Sequence, residues 1–330
     1  MNDIRNNWTT DEVSAIYHKP VLELILEAAA MHKKHQATGE VQVCTLLSVK
    51  TGGCPEDCSY CPQAARYNTG VEAHKLMKYE EVIDKALIAK NAGSTRFCMG
   101  AAWRNVRDGR DFDNVIDMVK GVNALGLEVC CTLGMLSEEQ AVRLKEAGLY
   151  AYNHNLDTSD EHYDKIISTR TYNDRLETLD NVEKAGISVC CGGIIGMGES
   201  DADRIKLLHT LATREKHPES VPVNALVSVE GTPLEKREKV KIWEMVRMIA
   251  TARILMPKAM VRLSAGRNEM SVEQQALCFL AGANSIFTGE KLLTTPNPDV
   301  TADQEMFELL GLSPRASFKE VEASAHSCSN

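Results

Sequence analysis

Two short runs, Ser94-Thr-Arg-Phe-Cys-Met-Gly100 and Leu127-Glu-Val-Cys-Cys-Thr-Leu-Gly134, flank the segment Phe112 to Leu125, in which apolar residues recur at helical spacing. Extended run, helix and extended run make a βαβ unit, whose two strands lie parallel in one sheet. The alternation continues in both directions. Strands are expected at Val41 to Ser48, Ser94 to Gly100, Leu127 to Gly134, Leu149 to Leu156, Ile187 to Ile194, Pro222 to Val229, Ala259 to Ala265 and Ala283 to Thr288. Between them fall helices at Tyr79 to Asn91, Phe112 to Leu125, Glu138 to Ala147, Tyr172 to Ala185, Asp201 to Thr213, Lys239 to Leu255 and Val272 to Ala281. Gly93, Gly148, Gly186 and Gly282 each sit between a helix and the next strand, where a left-handed C-cap ends the helix independently of hydrophobicity.

Eight strands with helical crossovers predict an α/β fold, a (β/α)8 TIM barrel, with a doubly wound sheet as the alternative. An N-terminal helix is expected over Pro20 to His35, and a short C-terminal extension carries another around Asp303 to Leu310 before a Ser-rich tail, Ala323 to Asn330, expected to fray. No linker or repeat demands a second domain. Residues 1–330 therefore read as one domain, with a helical extension (1–40), a barrel core (41–290) and a C-terminal extension (291–330).

Strand side chains alternate faces, and in a barrel the outer face meets the helices and must be apolar. Thr95, Phe97 and Met99 then face out and Arg96, Cys98 and Gly100 face in. Leu127, Val129, Cys131 and Leu133 share an apolar face, which sends Glu128, Cys130 and Thr132 to the lumen. On the same reasoning Cys190 is inward with Ser188 and Gly192, Cys191 is outward, and Arg262 and Ser264 are inward. Buried cysteine is a common small core residue, but inward thiols on three strands beside an arginine that must be paired if buried suggest a site. Asn153, Asn155 and Asp157 form a further inward polar set at a strand mouth, where barrel enzymes bind their ligands; an Asx cap before the next helix is the plainer reading of Asp157. Asn224 places one more amide inward.

A separate cysteine cluster lies in Cys54-Pro-Glu-Asp-Cys58-Ser-Tyr-Cys61-Pro-Gln63. Three thiolates leave a metal position open to a ligand, either on a 4Fe-4S cluster or on a zinc completed by a residue such as His74. Gly52 and Gly53 let the backbone wrap closely, Pro55 and Pro62 stiffen the loop, and Tyr60 offers an aromatic face to whatever binds there. A net charge of −9 argues against nucleic acid or an anionic membrane surface as partner. No apolar run approaches membrane-spanning length, and the polar, acidic start does not read as a signal peptide. A cytoplasmic protein is expected, and its 11 cysteines are then poor candidates for disulfides and better ones for metal ligands.

The C-x-x-x-C-x-aromatic-C spacing of Cys54, Cys58 and Cys61 resembles the signature of the radical S-adenosylmethionine enzymes. There three cysteines hold a 4Fe-4S cluster whose open iron chelates the methionine moiety of S-adenosylmethionine, and one electron cleaves that cofactor to a 5′-deoxyadenosyl radical. The likeness tightens over Gly93-Ser-Thr-Arg-Phe-Cys-Met-Gly-Ala-Ala-Trp103, Tyr152-Asn-His-Asn-Leu-Asp-Thr158, Val261-Arg-Leu-Ser-Ala-Gly266 and Gly282-Ala-Asn-Ser-Ile-Phe287. These residues resemble the sulfur-inserting members of the superfamily that act on dethiobiotin.

The resemblance implies a 2Fe-2S cluster, the sulfur donor, on Cys98, Cys130, Cys190 and Arg262. It implies cofactor contacts from Tyr60, Asn155, Asp157, Arg170, Ile194 and Glu199, and substrate contacts from Asn153, Asn155 and Asn224. Gly192-Gly-Ile-Ile-Gly-Met-Gly-Glu199 is similar to the family's G-x-I-x-G-x-x-E element, whose backbone supports adenine. Arg170 and Arg175 otherwise read as surface charges. A homodimer and a flavodoxin- or ferredoxin-like electron donor are also implied. The lipoyl-forming branch would carry a second cysteine cluster ahead of the first, where only Cys44 stands; a non-enzymatic regulator would leave the inward thiols unexplained.

Overall fold

The computed structural model describes residues 4–289 and 291–317, so the tail Ala323 to Asn330 expected to fray lies outside the described residues. The barrel strands are β1 (Glu40–Lys50), β2 (Arg96–Ala101), β3 (Glu128–Thr132), β4 (Ala151–Asn153), β5 (Ser188–Cys190), β6 (Gly193–Ile195), β7 (Ser220–Ala225), β8 (Met260–Leu263) and β9 (Ser285–Thr288). All pair in parallel, and β9 returns to β1 through Gln42 beside Ser285 and Cys44 beside Phe287, which closes the barrel. The crossover helices are α3 (Tyr79–Asn91), α4 (Arg110–Ala124), α5 (Glu138–Glu146), α7 (Tyr172–Lys184), α8 (Asp201–Ala212), α9 (Ile242–Leu255) and α10 (Val272–Leu280), with a single-turn α6 (Asp160–Tyr163) before α7.

Three sequence expectations need correction. The fifth stave is broken: the single strand expected over Ile187 to Ile194 divides into β5 and β6 at Cys191-Gly192. There the backbone presses so closely on β7 that a Cβ on Gly192 would lie 1.9 Å from the Pro222 carbonyl oxygen. The strand expected from Pro222 to Val229 instead starts at Ser220 and stops at Ala225. Ahead of the expected N-terminal helix, found as α2 (Val21–His35), an additional helix α1 (Thr10–Tyr17) packs on α8 and α9. It opens on a capping box, in which the Thr9 hydroxyl accepts from the Glu12 amide and the Glu12 carboxylate accepts from the Thr9 amide.

The alternation argument holds in space. Phe97, Met99, Val129, Cys131, Val189, Cys191, Val261 and Leu263 pack in the layer between strands and helices. Cys98 and Cys130 belong instead to a small cluster within the barrel, together with Cys44, Ala151, Phe287 and Leu292. Beneath that cluster Arg96, fully buried, donates to Glu128 through Nε at 2.9 Å and to both oxygens of Glu219 at 2.9 Å. This ion network fills the lower lumen and leaves the space above it for the site. After β9 a hairpin of β10 (Lys291–Leu292) and β11 (Thr295–Pro296) turns back over the barrel mouth, before α11 (Val300–Leu310) and β12 (Ser313–Pro314), which pairs with the start of β1.

Candidate active site

The cysteine loop follows β1 and is pinned at both ends by its own backbone. The Cys54 amide donates to the Gln63 carbonyl at 2.9 Å, the Ala65 amide returns to the Cys54 carbonyl at 2.8 Å, and the Cys61 amide donates to the Cys58 carbonyl at 2.9 Å. Gly52 and Gly53 both adopt positive φ (68° and 65°), as expected of a tight wrap. Across the mouth, Asp57 anchors the loop to residues 168 and 169. Burial alone would raise its pKa, but hydrogen bonds from the side chains and amides of Ser168 and Thr169 prevail and hold it down at about 2. Burial pushes the free thiols the other way, Cys58 up to about 11 and Cys61 up to about 12. Binding a cationic cluster would therefore displace protons from these sulfurs.

Cys54, Cys58 and Cys61 open on a cavity of ≈ 320 Å3 that runs down into the lumen, and Cys98, Cys130 and Arg262 line the same cavity from below. Tyr60, Asn153, Asn155, Asp157, Arg170, Ile194 and Asn224 also line it. Cys190 stands just behind, with the Asn153 amide nitrogen 3.2 Å and Arg262 NH1 3.6 Å from its sulfur. Among the described residues no three His, Cys, Asp or Glu side chains gather as around a single ion. The thiols instead line the cavity at its mouth and in the lumen.

The polar residues divide into ones already used and ones still free to bind. Asp157 takes a left-handed backbone conformation (φ 67°), and its Oδ2 accepts from Tyr60 Oη at 2.7 Å and Arg175 NH2 at 2.6 Å. Arg175, read from sequence as a surface charge, is buried: it also donates to Tyr163 Oη at 2.7 Å and to the Asn155 carbonyl. The surface reading fails for Arg170 as well, whose side chain is 8% exposed. Arg170 Nε and Glu56 Oε1 are buried without hydrogen-bond partners and the two side chains meet only at 3.7 Å, while Glu56 Oε2 accepts from the Thr169 hydroxyl and Oε1 has Arg104 Nε at 3.5 Å. A guanidinium and a carboxylate left underused beside Cys54 form a cradle suited to a ligand bearing both a carboxylate and an ammonium.

Asn155 Oδ1 accepts from Asn153 Nδ2 at 3.2 Å and from the Gly192 amide at 3.1 Å, so the two asparagines hold the β5–β6 break in place. Asn224 donates to the Gly193 carbonyl and accepts from the Ala265 amide, keeping one hydrogen and one lone pair for a ligand. Glu199 departs from expectation. Its carboxylate is outside the cavity lining and accepts from the Gly196 amide and Arg204 Nε, both at 2.8 Å, which shapes the loop from behind.

Sequence reasoning missed three contributors. His154 lines the cavity because β4 ends at Asn153, so alternation no longer governs the next residue. Its ring is driven well below the usual histidine pKa by burial and then by Arg175 and Arg170, and the neutral ring's Nε2 has no partner. Leu292 to Thr295 roof the cavity from the hairpin, and Leu293 Cδ2 would lie 2.7 Å from a Cβ on Gly100. Cys44 is a fourth lumen thiol; the pattern Gln42, Cys44, Leu46 on β1 carried that signal.

Comparison with known proteins agrees with this geometry. The Radical SAM superfamily matches residues 48–211, and the Biotin and Thiamin Synthesis associated domain matches residues 222–313. The chain is 71% identical over 323 residues to a biotin synthase of Cytophaga hutchinsonii, covering 98% of this chain and 96% of that one. It is 64% identical to a biotin synthase of Myxococcus xanthus (94% and 90% covered) and 61% identical to the mitochondrial biotin synthase of Arabidopsis thaliana (98% and 86% covered). Among solved structures, methylornithine synthase superposes with a TM-score of 0.79 at 18% identity (96% of each chain), and the hydrogenase maturase HydG from Carboxydothermus hydrogenoformans with 0.76 at 15% (93% and 76%). At those identities the likeness is one of fold.

Proposed function

Because the chain belongs to the biotin synthase family, we propose that its cavity is where dethiobiotin receives sulfur to become biotin, with Cys54, Cys58 and Cys61 holding a 4Fe-4S cluster at the mouth and Cys98, Cys130 and Cys190, joined by Arg262, surrounding a 2Fe-2S cluster in the lumen. The observation that carries this reading is that Cys54, Cys58 and Cys61 from the mouth loop and Cys98 and Cys130 from the lumen line one cavity. When bound, the first cluster supplies the electron that cleaves S-adenosylmethionine, and the second supplies the sulfur.

The chain's own residues bind, orient and exclude water. The underused pair Glu56 and Arg170 suits the ammonium and carboxylate of S-adenosylmethionine, next to Cys54. Tyr60, fixed by Asp157, sets an aromatic wall between Cys58 and Cys61, and Ile194 adds an apolar one. Asn153, Asn155 and Asn224 give amides for the ureido ring of dethiobiotin at the β-strand ends. Leu292 and Leu293 close the roof, which keeps a carbon radical from water.

Residues 1–40, 41–290 and 291–330 are taken as the helical extension, barrel core and C-terminal extension of one domain. A homodimer fits Leu22 and Leu26, one turn apart on α2 and 69% and 72% exposed, which need a cover. A small flavodoxin- or ferredoxin-like protein is the expected electron donor, and the cytoplasm the expected setting. Among the described residues no helix is long and apolar enough to cross a membrane. The test is anaerobic reconstitution with iron and sulfide, followed by incubation with S-adenosylmethionine, dethiobiotin and a reductant. Biotin and 5′-deoxyadenosine should form together; deoxyadenosine without biotin would refute the lumen assignment, and neither product would refute the radical assignment.

A further inference from the structure

We propose that the barrel floor is a port through which iron ions and hydrosulfide pass to and from the lumen, and that Arg315, carried across it by the C-terminal strand β12, is the plug that closes it. The inference rests on the proposed lumen cluster: a cluster that gives up sulfide must be refilled, and the mouth above it is taken by the cysteine loop, the hairpin roof and, during turnover, both ligands. Passage alone is proposed, and the path is the same in both directions.

The interior of a (β/α)8 barrel is ordinarily filled by layers of branched apolar side chains. Beneath this cavity the layers are polar: Gln42, Arg96, Glu128, Ser220 and Ser285 are buried there, and hydrogen bonds join the first three in one column. At its top, Arg262 NH1 lies 3.6 Å from Cys190 Sγ and NH2 donates to Gln42 Oε1 at 3.1 Å. Gln42 Nε2 donates to Glu128 Oε2 at 3.4 Å, and the same oxygen accepts from Arg96 Nε at 2.9 Å. Arg96 then grips both oxygens of Glu219 at 2.9 Å. Glu219 stands just ahead of β7 with its side chain 19% exposed, so the column runs from a lumen sulfur to solvent beneath the strands. Stability does not account for it, because a buried ion pair is often no more stabilising than well-packed apolar residues of similar volume. Alternating charges instead offer each ion successive partners: Glu219 and Glu128 for an iron cation, Arg96 and Arg262 for hydrosulfide.

The column is closed from outside by the chain's own C-terminal segment. β12 runs parallel to the first residues of β1, with Ser313 beside Glu40 and Pro314 beside Val41. The Ser313 amide donates to the Gly39 carbonyl at 2.8 Å and the Arg315 amide to the Val41 carbonyl at 2.9 Å. Arg315 is thereby held under the strand starts. Its NH1 reaches Met260 Sδ, at the first residue of β8, at 3.3 Å, and Glu128, Glu219 and Glu40 are the carboxylates whose charge acts on it. Arg315 is half-buried against the outer end of the column, whereas Ser313 and Pro314 are exposed. A two-residue strand with exposed side chains, one of them a proline that cannot donate to the ladder, is a segment that opens locally while the barrel stays folded. Once it lifts, Glu219 faces open water at the foot of the column.

The experiment uses the reconstituted full-length chain, kept anaerobic with S-adenosylmethionine and dethiobiotin bound so that the mouth is filled. An iron chelator is added to the solution, and loss of the 2Fe-2S signal is followed separately from loss of the 4Fe-4S signal. Arg315→Glu, which repels the carboxylates of the column, and Arg315→Ala should lose the 2Fe-2S signal about tenfold faster than wild type, with the 4Fe-4S rate unchanged. Arg315→Lys, which keeps the charge, should stay close to wild type. Leu293→Ala, which thins the roof, should leave the rate of 2Fe-2S loss as it is. Arg315→Glu and Arg315→Ala within about twofold of wild type, or Leu293→Ala releasing lumen iron as fast as they do, overturns the port while the lumen cluster stands. Loss of both clusters at one rate in the Arg315 variants also overturns it, because the barrel as a whole has then loosened. A wild-type protein that assembles no second cluster overturns both this inference and the reading beneath it.

Discussion

Replacing Arg175 with methionine tests whether the mouth is held by a buried charge pair. Arg175 and Asp157 are 3% and 1% exposed, and among the described residues the guanidinium is the cation that pairs with Asp157, at 2.6 Å. Arg175→Met leaves the carboxylate buried with the Tyr60 hydroxyl as its remaining side-chain donor. Stranding one partner of a buried pair costs about 3–5 kcal/mol, a large share of the about 5–15 kcal/mol by which a domain is stable. Urea unfolding of Arg175→Met, Asp157→Asn and the double variant, under reducing anaerobic conditions, measures this cost. The double variant should recover at least about 1 kcal/mol over Arg175→Met, because no charge is then stranded. A single variant within about 1 kcal/mol of wild type, or a double variant no better than the single, would refute the argument.

Cys54→Ala should abolish reductive cleavage of S-adenosylmethionine while circular dichroism stays unchanged; undiminished deoxyadenosine formation would contradict the assignment of the mouth loop. Cys130→Ser and Cys190→Ser should lose the lumen cluster's absorption, whereas Cys131→Ser and Cys191→Ser, which remove thiols from the helix-facing layer, should keep it. Arg262→Met should retain the cluster, with a lower reduction potential because a positive neighbour and two N–H···S contacts are gone; complete loss of 2Fe-2S absorption after reconstitution would show that the cluster needs Arg262 to be held at all. Gly100→Leu should weaken dethiobiotin binding more than S-adenosylmethionine binding, since the new side chain displaces Leu293 from the roof; equal loss of both in calorimetry would point to general collapse of the barrel.

The period-two pattern of a strand distinguishes Cys130 from Cys131 and Cys190 from Cys191 because one face of each strand must be apolar, and that constraint acts within five residues of chain. Arg175 could not be read the same way. Its partner Asp157 lies 18 residues back, on a loop that follows β4, and only the return of α7 against that loop turns an ordinary helix arginine into a buried one. His154 illustrates where the period stops: β4 is three residues long, and beyond Asn153 the backbone can turn consecutive side chains toward the same cavity. Glu199 illustrates the converse, a motif residue whose identity is legible while its direction is not, because Arg204 and the Gly196 amide capture the carboxylate from behind. Cys44 obeyed the alternation throughout. Unlike Cys130 and Cys190, it has no neighbouring thiol to raise the question of facing, although β1's inward set of Gln42, Cys44 and Leu46 meets the lumen by the same rule. Local periodicity thus assigns faces wherever a strand is long enough to have them. Pairing across the mouth, and the fate of each carboxylate there, depends on contacts made only once the barrel has closed between β9 and β1.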